Sequence, residues 1–291
     1  MYTRIAVAVL SLAAAALADY PADRKAAVEL MTAGKNEEAL AAFLKLADSA
    51  AGDAQKSDAL EQAATLAGRM RRYEQGVEIA KKIPLQPVSK SARMQVMLWN
   101  GKYEELVAAF KAEDFSAWPE KSAGPAYFCR GRAYITLRDG KAAEADMKKA
   151  VETLGEGETS NEARLLLGDI YRDLLQDDAL ALAAYNENVA KAPKFGWIQM
   201  TSVTSASGIL ARQKKFDEAL AVMKDYDPGR MNGVWKYSFL LAYAEVYAAQ
   251  GRKAEAVAKL NEGLAAKDLA AWQKPMFEKK LKELQGETKQ P

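Results

Sequence analysis

The chain has 291 residues, with 41 Lys and Arg against 39 Asp and Glu, a formal net charge of +2 and no histidine. Acids and bases are interspersed without a basic block, which leaves no nucleic acid footprint. The missing histidine removes Ser-His-Asp and Cys-His catalysis and the HExxH zinc motif, and an apolar fraction of 49% with abundant Ala suits packed helices.

The chain opens Met1-Tyr2-Thr3-Arg4, followed by an uncharged run from Ile5 to Ala18 that ends Ala16-Leu17-Ala18. A charged start, an apolar core and small residues at −3 and −1 are the layout of a signal peptide over residues 1–18, cleaved after Ala18. The run is short for a membrane span, which takes about 20 residues. Residues 1–18 thus direct an exported protein, periplasmic or extracellular, with no membrane span after cleavage. Losing Arg4 lowers the net charge by one, from +2 to +1. Cys129 is the single cysteine, so no intrachain disulfide supports the fold.

Beyond the leader a motif recurs. Gly34-Lys35-Asn36-Glu37-Glu38-Ala39-Leu40 returns as Gly101-Lys102-Tyr103-Glu104-Glu105-Leu106-Val107, as Lys214-Lys215-Phe216-Asp217-Glu218-Ala219-Leu220 and as Gly251-Arg252-Lys253-Ala254-Glu255-Ala256-Val257. Weaker copies surround Gly76, Ala143 and Ala181. Taking Ala39, Gly76, Leu106, Ala143, Ala181, Ala219 and Ala256 as markers, the separations are 37, 30, 37, 38, 38 and 37. A fixed period of this size indicates a repeat architecture. Each unit reads as two helices joined by a tight turn, with Glu37, Glu38, Asp217 and Glu218 at the positive end of the second helix's dipole. The short second step implies a trimmed helix or loop between 84 and 100. Pro84, Pro87, Pro119, Pro125, Pro193 and Pro228 are expected between helices.

These units resemble the tetratricopeptide repeat. Gly131, Tyr134, Ala143 and Ala150 have the family's spacing of small and large residues, as do Ala244, Tyr247, Gly251, Ala256 and Gly263; Gly168 with Tyr171 begins another copy. Ala39 with Phe43, Leu106 with Phe110 and Ala181 with Tyr185 supply second helices. The resemblance covers about residues 22 to 266 and implies an all-α fold of αα-hairpins stacked into a right-handed superhelical solenoid. The units are 22–50, 56–84, 89–114, 122–155, 159–193, 198–227 and 234–267, within a solenoid over 19–268. Residues 269–291 form a capping helix and tail, with Pro275 as first helical residue, Leu269 and Trp272 packing ahead of it, and Met276, Leu281 and Leu284 resting on the last repeat.

In this family the first helices line a concave groove. That implies partner contacts from Trp99, Phe128, Arg132, Asp169, Arg172, Arg212, Leu241 and Glu245. The family's clamp for C-terminal carboxylates uses Lys and Asn there, whereas this chain has Phe128, Arg132, Leu165 and Asp169, which leaves extended-peptide or helix-in-groove binding. Trp197, Trp235 and Tyr237 read as packing between repeats, and Cys129 as core filler. No phosphate loop, CxxC pair or calcium loop is present, so no cofactor or metal is expected. The expected function is an exported, non-catalytic scaffold for a protein or peptide. A carboxylate-dependent glycan-acting enzyme using Asp169, Asp173, Asp177 and Glu245, or a purely structural envelope subunit, remain alternatives. Oligomeric state is open.

Overall fold

Alanine and leucine at helical spacing, closed off by a left-handed residue after each first helix, produce helices that pair in chain order. In the computed structural model, residues 20–226 and 233–286 are described; the expected leader, Pro228 and the tail from Glu287 lie outside them. The pairs are α1 (20–32) with α2 (Asn36–Asp48), α3 (Asp53–Arg69) with α4 (Tyr73–Lys81), α5 (Gln86–Trp99) with α6 (Tyr103–Phe110), and α7 (Glu120–Thr136) with α8 (Gly140–Thr153). They continue with α9 (Glu158–Ile170) and α10 (Asp178–Lys191), α11 (Trp197–Arg212) and α12 (Phe216–Met223), then α13 (Val234–Ala249) and α14 (Lys253–Leu264). A last helix, α15 (Lys274–Gln285), follows. No strand occurs among the described residues. The short second step of the repeat corresponds to the nine residues of α4 and a four-residue link, 82–85, into α5.

A left-handed residue stands at the same place after every first helix. Gly34, Arg71, Gly101, Arg138, Gln176, Lys214 and Gly251 all have φ between 57° and 82°, and each stands five residues before its marker. At Gly34 the N–H bonds to Met31 O at 3.1 Å and the next N–H, of Lys35, to Leu30 O at 3.0 Å. This paired closure satisfies the orphan carbonyls of the first helix. It recurs at Arg71, Gly101, Arg138, Lys214 and Gly251.

The fifth turn differs by one residue. Gly131 lies seven positions before Arg138, whereas Gly168 lies eight before Gln176. The extra residue is taken up by a π-helical turn over Tyr171–Leu175, closed by a bond from Asp177 N to Tyr171 O at 2.8 Å. The 38-residue step into this hairpin has that cause.

Ala39, Ala143, Ala181, Ala219 and Ala256 are small and fully buried where the paired helices cross, with the larger Leu106 buried at the same position of its hairpin, and four positions later Phe43, Phe110, Met147, Tyr185, Met223 and Leu260 fill the space beside the crossing. Gly168 has no alternative, because a Cβ there would lie 2.4 Å from Tyr185 Cε1.

The chain divides into two compact units, Met1–Gly155 and Glu156–Pro291. The first holds α1 to α8; one continuous core runs from Ala27 and Phe43 through Leu60, Leu66 and Ile79 to Val96. Its polar tie is Arg130, buried on α7. The second holds α9 to α15 around two clusters, one centred on Val203, Met223 and Phe239 and one on Tyr237, Leu260 and Phe277.

Two expectations are corrected. Pro87 is the second residue of α5, in the first turn where its missing N–H costs no helix bond, and Pro125 is the sixth residue of α7, inside the helix, where it removes the donor for the Lys121 carbonyl. At the C-terminal cap, Pro275 is the second residue of α15, and Trp272 and Met276 are 62% and 47% exposed. Phe277 is buried instead, against the backbone of Gly263, where a Cβ would meet its ring at 2.3 Å. Leu269, Leu281 and Leu284 pack around it.

Candidate partner-binding faces

In the first unit the residues converge on the C-terminal end of α5. Trp99 is its last residue, 37% exposed. Arg71, in the turn after α3, donates from Nη1 to the Trp99 carbonyl, which satisfies an orphan acceptor of that helix end. The Arg69 guanidinium stands 5.4 Å over the Trp99 ring. Arg132 of α7 joins Arg71, Leu98, Trp99, Tyr103 and Thr136 around an open cavity of about 170 Å³. No carboxylate lines it. Trp99 and Arg132 therefore share one site, while Phe128 is buried and serves as a platform, with the Arg132 guanidinium 5.6 Å from its ring centre. Cys129 beside it is buried, and burial pushes its thiol up to about 12, against the opposing pull of Arg132. It is core, not a nucleophile.

In the second unit Asp169 and Arg172 belong to an internal network. Arg172 donates from Nε and Nη2 to the two Asp173 oxygens, both at 2.7 Å, and from Nη1 to Tyr185 Oη at 2.9 Å and Ser205 Oγ at 3.2 Å. The Tyr185 hydroxyl in turn donates to Asp169 Oδ1 at 2.7 Å, and Arg172 Nη2 lies 3.0 Å from that carboxylate. Burial raises the Asp169 carboxyl, while the bonds from Tyr185 and Arg172 hold it down. These bonds tie the π turn to α10 and α11. Asp177 caps α10, accepting from the N–H groups of Ala179 and Leu180 at 3.1 and 3.0 Å. Asp169, Asp173 and Asp177 thus have structural partners.

Arg212 and Glu245 come together across a second cavity of about 290 Å³, between α11, α13 and α15, with a floor of Gly208, Ala211 and Val246 and with Lys280 on its rim. Arg212 is paired with Asp178 at 3.0 Å. Burial raises the Glu245 carboxyl, Lys280 opposes that and Glu283 adds to it. Leu241 lies apart, packed into the cluster around Phe277. Trp235 packs on the Val203 cluster and Tyr237 is buried, whereas Trp197 is half exposed with its indole N–H on Glu158 at 3.1 Å.

Arg69, Arg71, Tyr103, Gly208 and Lys280 are absent from the expected set. Arg71 has a signal in the sequence, since the repeat register puts it at the turn position held by Gly34, Gly101 and Gly251. Gly208 has another. A Cβ at Gly68, Gly76, Gly124, Gly131, Gly168 or Gly263 would meet a neighbour at 3.1 Å or less, while at Gly208 it meets nothing within 4 Å. Among the described residues no group of three or more His, Cys, Asp or Glu is placed to hold a metal, and no helix is long and apolar enough to cross a membrane.

The hairpins are tetratricopeptide-like in turn, crossing and spacing. No protein-family description matches the chain, and no curated protein matches it. Among solved structures it is similar to a tetratricopeptide repeat protein from Parabacteroides merdae, with 13% identity over 92% of this chain and 99% of that one and a TM-score of 0.46. It is also similar to the tetratricopeptide-repeat domain of P58(IPK), with 15% identity over 94% of this chain and all of that one and a TM-score of 0.26.

Proposed function

We propose that this helical-repeat chain is an exported, non-catalytic scaffold that binds a protein or peptide along the faces of its first helices. The observation that carries this reading is the pairing of first-helix residues from neighbouring hairpins around open cavities, Trp99 with Arg132 in one unit and Arg212 with Glu245 in the other. Arginine and exposed tryptophan are the residue types that anchor interfaces. A carboxylate-dependent enzyme is disfavoured, because three of its four candidate acids are occupied in capping or ion pairing. Export rests on the leader pattern from Arg4 to Ala18.

The test is a pull-down from envelope extract with Asp19 to Pro291 as bait, beside an Arg132→Ala/Arg212→Ala variant whose circular dichroism matches the parent. The expected result is one specific protein captured by the parent and lost by the variant. Capture of nothing, or equal capture by both, would overturn the reading and favour glycan or self-association assays.

A further inference from the structure

The cavity at the end of α5 is unusual in its charge. Its lining holds Arg71 and Arg132 and no acid, and Arg69 adds a third guanidinium over the Trp99 ring. Arg72, Arg212 and Arg252 are by contrast paired, with Glu37, Asp178 and Glu255. Among the described residues neither Arg69 nor Arg71 has a carboxylate within ion-pair distance. At about 170 Å³ the cavity is below the range that encloses a small-molecule ligand, but it admits one side chain of a longer partner.

We propose that this Arg69–Arg71–Trp99 cradle docks an internal acidic segment of a partner protein, its carboxylates meeting the two arginines and an adjoining apolar side chain lying on the exposed Trp99 ring. The proposal rests on the recognition reading and narrows it to one chemistry at one place. Guanidinium groups bind carboxylates directionally through several N–H donors, and tryptophan accepts an apolar side chain on its face. Arg71 Nη1 is held on the Trp99 carbonyl, which fixes the guanidinium beside the indole before any ligand arrives and lowers the ordering cost of binding. The Tyr103 and Thr136 hydroxyls supply further polar contacts. A nucleic acid would also meet arginine and tryptophan, yet the near-neutral charge and interspersed acids of the chain favour a peptide.

The test is fluorescence anisotropy with acetylated, amidated decapeptides that carry one Phe at each position among Glu residues, a matched Gln series, and an oligothymidine. At least one Glu peptide is expected to bind, its Gln counterpart at least tenfold more weakly, with affinity falling as salt rises. Arg71→Gly is the decisive variant, because glycine suits the left-handed turn and keeps the fold; it should lower affinity at least tenfold without lowering Tm. Arg69→Gln, outside that turn, is the second. Silence across the Glu series, equal binding of the Gln series, preference for oligothymidine, or unchanged affinity in both variants would each overturn the proposal. A partner captured in the pull-down while the Glu series stays silent would leave the recognition reading standing and remove this one.

Discussion

Arg130 and Asp146 face each other as a two-pronged pair between α7 and α8, Nε to Oδ2 at 2.7 Å and Nη2 to Oδ1 at 2.8 Å. The same guanidinium donates from Nη1 to the carbonyls of Phe110 and Glu113, at 2.7 and 2.9 Å, and lies 4.3 Å from the Phe115 ring centre. One buried side chain thus closes the end of α6 and fastens the next hairpin to it. Asp146→Ala leaves that cation buried without its counter-ion and is expected to cost about 3 to 5 kcal/mol. Arg130→Met in the Asp146→Ala background should cost less than it does alone. Urea melts of the four chains measure this; strictly additive losses would mean the two groups are independent.

Glu61 gives a pH signature. On α3 it is half buried beside Asp58, and burial first, then the Asp58 charge, push its carboxyl up from the ordinary 4.5 to about 7, with a bond from Gln95 opposing. Between those values the folded chain holds a proton that the unfolded chain releases, so this group's contribution to stability falls as pH rises from about 4.5 to about 7. Glu61→Gln removes the charged form. Its Tm should exceed the parent's at pH 8 and equal it near pH 4.5; an increment of the same size at both would argue against titration at this site.

Two glycines make opposite predictions for the same change. Gly208→Ala adds a methyl group that meets nothing within 4 Å and restores helix propensity in α11, worth about 0.5 to 1 kcal/mol. Gly168→Ala drives a Cβ into the fully buried Tyr185 ring, and overpacking of this kind costs about 1 to 3 kcal/mol. Thermal unfolding of the two variants should move in opposite directions, and a stabilised Gly168→Ala would refute the close packing described here.

Phe277 is the keystone of the cap. Phe277→Ala should lower stability by about 3 to 5 kcal/mol, with α15 losing amide protection first and exposing Tyr237, Leu240 and Leu260. Hydrogen exchange by mass spectrometry reads this directly. Trp272→Ala, a change at an exposed side chain, serves as the control that leaves α15 protected.

What could be read from the sequence follows from how local the physics is. The all-α hairpins were legible because a helix crossing demands a small residue at a fixed place, so Ala39, Ala143 and Ala219 announce themselves at a constant interval. Pro125 inside α7 was not, since proline argues against a helix interior unless tertiary packing outweighs the lost bond. At the cap, Trp272, Met276 and Phe277 are all apolar on one helical stretch, and only the position of Gly263 decides which of them is covered. The candidate site divides the same way. Trp99 and Arg132 were recoverable from helix register, but the commitment of Arg172 depends on Tyr185 and on Ser205, 33 residues away, which no local pattern reveals.

The π turn at Tyr171–Leu175 acts on the chain as a slip joint. An extra residue in an α-helix rotates everything after it by about 100°, which would turn each later hairpin away from its neighbour. Here the surplus is absorbed before Gln176, and Gln176 still precedes Ala181 by the same five residues as in every other hairpin. Length and orientation are thereby uncoupled at this one place, where the second unit takes up a change in residue number without refitting the surfaces that follow.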